Sequence, residues 1–242
     1  MRNDPSMSTG RRTHILFDFF GTLVDYSASR TEQGYHRSHR LFRRLGGDLD
    51  YPDFLAAWSR ASADFDRLSD RDDHEFSMTD VGSAFLAGTL GRSPTRAEVD
   101  AFVAEYIGEW NTGVTYSAAV VECVRALAGT YRLAVVTNTH QPDLVPDHLA
   151  AMGLLPCFDA VVTSVEVGWR KPHPAIYAAT LDTLGIRAEA ALFVGDTYRP
   201  DFAGPERAGM RAYLIDPERA ATVPDGRRLA SVLDLPDRLA AE

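Results

Sequence analysis

The sequence predicts an α/β protein: a doubly wound parallel sheet with a helical cap inserted into it. Three observations predict it. Five short apolar runs, rich in Val, Ile, Leu and Phe and closed by polar or Gly residues, read as strands buried on both faces. Amphipathic segments separate the last four runs, so strand and helix alternate. The stretch between the first and second runs shows helical patterning throughout and is too long for a loop.

In chain order, the first strand is His14–Phe19. The insert follows. Ser29–Leu45 reads as a basic helix, and Asp53–Leu68 and Thr79–Leu90 as two more. Thr95 with Glu98 forms a capping box ahead of Val99, Phe102, Val103 and Tyr106. Gly46-Gly47 and Gly91 punctuate the insert. Ser117–Ala128 repeats apolar residues at helical spacing and leads into the strand Leu133–Thr137. The helices Asp143–Met152, Ala175–Leu184 and Asp201–Ala208 then alternate with the strands Ala160–Thr163, Ala191–Gly195 and Ala212–Ile215. Ser231–Ala241 reads as a closing helix. The expected division is a disordered tail over 1–12, a core made of 13–25 and 117–242, and a helical cap over 26–116.

The chain has 242 residues, 45% of them apolar, enough for a core of normal size. Its net charge of −9 argues against nucleic acid or an anionic membrane as partner, since both call for a basic surface. No apolar run approaches the ~20 residues of a membrane span. Met1–Arg12 is polar and has no signal-peptide h-region. Cys123 and Cys157 show no metal or redox spacing and read as reduced thiols. The expectation is a cytoplasmic monomer or homodimer. Lys171 is the only lysine, so chemistry that needs an amine has one candidate.

Ligands of a doubly wound sheet bind beyond the carboxyl ends of its strands. The first strand delivers Asp18, followed by Phe19-Phe20-Gly21-Thr22. The second delivers Thr137 and Asn138, and after the third comes Gly168-Trp169-Arg170-Lys171-Pro172. The fourth delivers Gly195-Asp196-Thr197, with Asp201 five residues beyond Asp196. Three carboxylates, a hydroxyl and the lone lysine therefore converge on one edge. Crowded carboxylates repel and rise in pKa unless they are compensated. A divalent cation and an ammonium are the natural compensators, and Mg²⁺ favours oxygen ligands. Such a site suits phosphoryl chemistry, where positioning and charge neutralisation do most of the work.

The segments FDFFGTLVD, VVTNT, GWRKPHP and GDTYRPDFAGPERAGM resemble, in order, the four motifs of the haloacid dehalogenase superfamily. The insert sits where that family carries its type-1 helical cap. The resemblance implies Asp18 as a nucleophile forming an aspartyl intermediate. It implies that Thr137 and the Asn138 backbone hold the transferred group and that Lys171 neutralises charge. It also implies Mg²⁺ held by Asp18, the Phe20 carbonyl and Asp196, with Asp201 in support, and a small anionic metabolite as substrate.

One position departs from the pattern. The family's phosphatases have an aspartate two residues after the nucleophile, which protonates the leaving group. Here it is Phe20, which carries no proton to transfer. A positioned acid–base group is worth ~10²–10⁴ in rate, or about 3–5 kcal/mol of barrier. The 2-haloacid dehalogenases resemble this chain in lacking that aspartate, but their fourth motif lacks the leading carboxylate that Asp196 supplies here. A non-hydrolytic relative that uses the pocket for binding is a third reading. On the first cap segment, Arg30, Tyr35, His36 and His39 are candidates to bind substrate or supply the proton. His36 and His39 share a helix face, and His titrates near neutrality.

Overall fold

The computed structural model describes residues 12–27 and 32–241. Six parallel strands form one sheet: β1 His14–Phe17, β2 Arg132–Thr137, β3 Phe158–Thr163, β4 Ala191–Gly195, β5 Arg211–Ile215 and β6 Arg228–Leu229. Their order is β3-β2-β1-β4-β5-β6. The order reverses around β1, which pairs with β2 on one side and β4 on the other. The crevice of such a sheet opens at that reversal.

The continuous apolar runs are explained by two buried faces. Ile15, Phe17, Val135 and Val194 point into one core; Leu16, Val136, Phe193 and Ala212 point into the other. The short β6 has no counterpart among the expected strands, because two residues leave no periodicity to detect. The first strand ends at Phe17, since Phe19 turns to accept from the backbone N–H groups of Thr22, Leu23 and Val24.

The insert holds four helices: α1 His36–Arg44, α2 Tyr51–Asp72, α3 Met78–Leu90 and α4 Arg96–Trp110. They enclose an apolar core of their own that includes Tyr35, Phe42, Phe54, Trp58, Phe85 and Phe102. Thr95 and Glu98 form the expected capping box on α4, and Ser77 with Asp80 forms a second on α3. The helix expected over Ser29–Leu45 begins at His36 within the described residues. Tyr35 provides no side-chain cap there. The buried carboxylate of Glu109 on α4 accepts instead from the Arg37 and Ser38 backbone N–H groups at 2.7 and 2.8 Å. It answers the exposed donors and positive end of that helix.

The rest of the sheet is wrapped by α5 Ala118–Ala128, α6 Leu144–Ala151, α7 Ser164–Val167, α8 Pro174–Leu184, α9 Gly204–Arg207 and α10 Leu235–Ala240. His173 accepts from the Ala175 N–H at the start of α8, the turn-shaping role its setting suggests. A helix over Asp201–Ala208 was expected; a π-turn over Tyr198–Ala203 takes its first half, and α9 takes only the second. The chain passes between core and insert at an antiparallel bridge, where Asp25 and Thr115 exchange backbone bonds of 2.8 and 2.9 Å. No described helix is long and apolar enough to cross a membrane. Cys123 and Cys157 are unpaired.

Candidate active site

The carboxyl ends of β1, β2 and β4 meet at the reversal point of the sheet. Asp18, just past β1, is fixed by donating its N–H to Val194 O on β4 at 2.9 Å. Thr137 closes β2 and donates its hydroxyl to Asp18 Oδ1 at 2.9 Å. Lys171 Nζ donates to the same oxygen and to Asp201 Oδ1, each at 2.7 Å. Asp18, Asp196 and Asp201 each place a carboxylate oxygen within 4.8 Å of the others'. Thus Asp18, Thr137, Lys171, Asp196 and Asp201, chosen from strand ends alone, surround one point.

Backbone constraints hold these groups. Asn138 clasps the lysine's peptide unit: its Oδ1 accepts from Lys171 N at 2.7 Å and its Nδ2 donates to Lys171 O at 3.0 Å. Its side chain is therefore committed to placing Lys171. Asp201 Oδ2 accepts from Thr197 N and its own N–H donates to Thr197 O, both at 2.9 Å. This fold-back explains Gly195, where a Cβ would lie 2.4 Å from that of Asp201. Gly21 is needed for two reasons. Its φ is +83°, and a Cβ there would stand 2.3 Å from Asp196 Oδ2.

Negative charge exceeds positive in the cluster. Burial and the charge of Asp18 push the Asp196 carboxyl up from its ordinary value. Burial and Asp18 also raise Asp201, against the pull of Lys171. Burial works against the Lys171 ammonium, but Asp18 and Asp201 outweigh it and hold the group above its ordinary value. The lysine is therefore charged, and the upward push on the aspartates expresses three carboxylates sharing one ammonium. The donor set fits a hard divalent cation. Asp18 spends only Oδ1 on Thr137 and Lys171, and the missing Cβ of Gly21 leaves Asp196 Oδ2 unobstructed. Both oxygens of Asp201 already accept hydrogen bonds, which sets it behind the other two.

A cleft of about 380 Å³ opens over this cluster, between the sheet edge and the insert. Phe20 lines it, in a cluster of rings. It meets Phe19, Tyr26 and Trp110 edge-on, with ring centres 5.0, 5.6 and 5.4 Å away. Met78, Tyr106 and Ile107 extend an apolar wall on the insert side.

Three of the candidates on the first cap segment are corrected. His36 stacks on Tyr51, and His39 bonds the Leu49 carbonyl at 3.0 Å and packs on Phe42 and Phe54. Neither lines the cleft. They do share a helix face, but that face is turned to the insert's own aromatic side chains. Tyr35 likewise is buried in that core, stacked on Tyr106. Arg30 lies outside the described residues. Trp169 packs between His173 and His74, and Arg199 pairs with Asp73. Tyr26, Trp110, His140 and Arg170 line the cleft and were not foreseen. Arg170 adjoins Lys171 in its motif, which is a usable signal; the other three are brought in by the packing of the insert.

A curated (S)-2-haloacid dehalogenase from Xanthobacter autotrophicus is 30% identical over 184 residues, 74% of this chain and 66% of that protein. A phosphoserine phosphatase from Thermus thermophilus is 38% identical over 99 residues, 39% of each chain. The human haloacid dehalogenase-like hydrolase domain-containing protein 3 is 34% identical over 110 residues, so the chain spans 43% of that relative's length. The solved 2-haloacid dehalogenase from Pseudomonas syringae pv. Tomato DC3000 shares the fold, with a TM-score of 0.69 at 24% identity over 95% of this chain and 99% of that one. The family model of the haloacid dehalogenase-like hydrolases matches residues 13–209, and the chain belongs to that family of hydrolases.

Proposed function

We propose that this hydrolase transfers and hydrolyses the phosphoryl group of a small anionic metabolite, with Asp18 as nucleophile and Mg²⁺ as cofactor. The observation that supports it most is the trio of carboxylates within 4.8 Å of one another with a single buried ammonium among them. A site with that surplus of negative charge has use for a divalent cation before it can receive a phosphate. Asp18, Asp196 and the Phe20 carbonyl would hold the ion, and Asp201 would support it from behind. The ion would supply neutralising charge for the transferred group.

The protein's own groups do the rest. A carboxylate oxygen of Asp18 bonds to phosphorus as the ester P–O bond breaks. Water then attacks the phosphorus of the aspartyl phosphate, releasing inorganic phosphate and restoring Asp18. Lys171, pinned by Asn138 through its backbone, donates to the nucleophile and offsets charge as it shifts. The Thr137 hydroxyl orients the same carboxylate. The helical insert acts as the cap, and its apolar wall of Met78, Ile107 and Trp110 meets the organic part of the substrate. The basic face of α1 is not part of that wall.

Purified protein is expected to release phosphate from members of an ester panel in Mg²⁺, to lose this in EDTA, and to lose it on Asp18→Asn. No release, or release untouched by Asp18→Asn, would refute the reading. A second reading, metal-independent dehalogenation, is favoured by Phe20 and by the likeness to the Xanthobacter enzyme. It predicts chloride release from 2-chloropropionate that persists in EDTA. The retained Asp196 and Asp201 weigh against it.

A further inference from the structure

We propose that His140 is the proton donor to the leaving group, taking the part that Phe20 cannot, and that Glu75 is the positioning residue that aims it. This rests on the phosphohydrolase reading above. Glu75 belongs to the segment joining α2 to α3, and its side chain is fully buried where the insert meets the core. Its Oε1 accepts from His140 Nδ1 at 3.1 Å and from the Phe76 N–H at 3.0 Å. Its Oε2 accepts from the Ser164 hydroxyl and faces the Arg170 guanidinium at 3.5 Å. A buried carboxylate is costly unless it is paired and hydrogen-bonded, and every one of these partners sits at the edge of the cleft or supports it. Burial pushes the Glu75 carboxyl up, yet the His140 bond, the nearby charges and Ser164 hold it below its ordinary value.

An ionised Glu75 makes Nδ1 the protonated nitrogen of His140 and leaves Nε2 for exchange. Nε2 has no hydrogen-bond partner among the described residues, and the ring lies flat on Phe76 with centres 4.2 Å apart. The His140 carbonyl accepts from Met78 N at 2.8 Å, so the residue is held at backbone and ring alike. It is the one histidine among the described residues lining the cleft. It stands three residues beyond Thr137, which touches the nucleophile, and three residues span at most about 11 Å. His148 is not an alternative: its ring packs edge-on to Phe20 and its Nε2 bonds Asn111 Oδ1.

As Asp18 bonds to phosphorus and the ester P–O bond breaks, Nε2–H of the imidazolium protonates the bridging oxygen, and a neutral alcohol departs. The imidazole keeps its Nδ1–H on Glu75. In the second half, Nε2 takes a proton from the attacking water as the Asp18–phosphoryl bond breaks. A proton donor matters most when the leaving group is a poor one.

The test compares p-nitrophenyl phosphate with a simple alkyl phosphate. His140→Asn keeps a donor for Glu75 and removes the second nitrogen. It is expected to lower kcat on the alkyl ester by roughly 10²–10³-fold and on the aryl ester by less than about tenfold. Glu75→Gln should show the same selectivity with smaller loss. Melting temperatures establish folding, and His140→Gln replaces the asparagine variant should that one unfold. Equal losses on both esters, no loss, or a selective loss in Tyr26→Phe instead would overturn the proposal. If the parent protein turns over neither ester, the phosphohydrolase reading fails, and this inference with it; if it turns over both and His140→Asn is unselective, this inference alone fails.

Discussion

Replacing Lys171 by methionine isolates the electrostatic claim on which the site depends. The change conserves the length of the aliphatic stem and removes one ammonium that donates at 2.7 Å to both Asp18 and Asp201. All three side chains are almost wholly buried, at 2–10% exposure, so solvent offers little compensation. Breaking a buried ion pair by deleting one partner costs about 3–5 kcal/mol, chiefly because the other charge is stranded. In a chain of this size each kcal/mol shifts the melting temperature by about 2–4 °C, so the loss should be roughly 6–20 °C. Thermal unfolding followed by circular dichroism in EDTA measures it. The deficit should shrink as pH falls, because Asp201 and Asp196 are already pushed upward and the folded state then takes up the proton more readily than the unfolded chain. Asp201→Asn added to Lys171→Met should recover part of the loss, since an amide strands no charge. A melting temperature within 2 °C of the parent, or strict additivity with Asp201→Asn, would refute the picture of one ammonium balancing a crowded acidic cluster.

Three further outcomes are expected. Phe20→Ala removes a half-buried ring that meets four others edge-on, and should cost about 2–3 kcal/mol in urea unfolding; a loss under about 1 kcal/mol would deny the cluster a structural role. Gly21→Ala puts a Cβ into the left-handed region and against Asp196 Oδ2, so it should cost about 1–2 kcal/mol and weaken Mg²⁺-induced thermal stabilisation; unchanged Mg²⁺ response would place the ion elsewhere. Glu75 is held below its ordinary value of 4.5, so its contribution to stability is present above that pH and is lost as pH falls through the lower folded value. The stability gap between the parent and Glu75→Gln should therefore be open near neutrality and close in acid, and a gap that widens in acid would contradict the ionised assignment.

The sheet was legible because buried parallel strands advertise themselves as unbroken apolar runs, and the acidic cluster because strand ends in such a sheet point one way. Asp18, Thr137 and Asp196 lie at or next to a strand end, and Lys171 and Asp201 lie in the segments that follow β3 and β4. What was illegible depends on the docking of separately patterned segments. His36 and His39 share a helix face, but the polar character of Arg37, Arg40, Arg43 and Arg44 around them hid the fact that this face is turned to Tyr51 and Phe54. Glu75 and His140 lie 65 residues apart in non-periodic connectors, and no local pattern announces that they touch. The π-turn at Tyr198–Ala203 escaped because its cause is the reach of Asp201 back to Thr197, a tertiary demand on a segment whose composition permits a helix.

The seam between insert and core has a consequence for how the lysine is placed. Glu75 N donates to Gly168 O, Arg170 N donates to Asp73 O, and His74 bridges Trp169, so the connector between α2 and α3 lies along the loop that precedes Lys171. On its other side the same loop is held by the Asn138 clasp. Lys171 is thus located by two bodies at once: the strand that supplies Thr137, and the insert that supplies the wall of the cleft. A change that loosened the insert at this seam would displace Trp169 to Lys171 before it disturbed Asp18 or Asp196, which are anchored within the sheet. Insert seating and charge balance at Asp18 are therefore linked through four consecutive residues, Gly168 to Lys171. The Glu75 carboxylate, bonded to His140 and facing Arg170, sits at the point where a perturbation of one reaches the other.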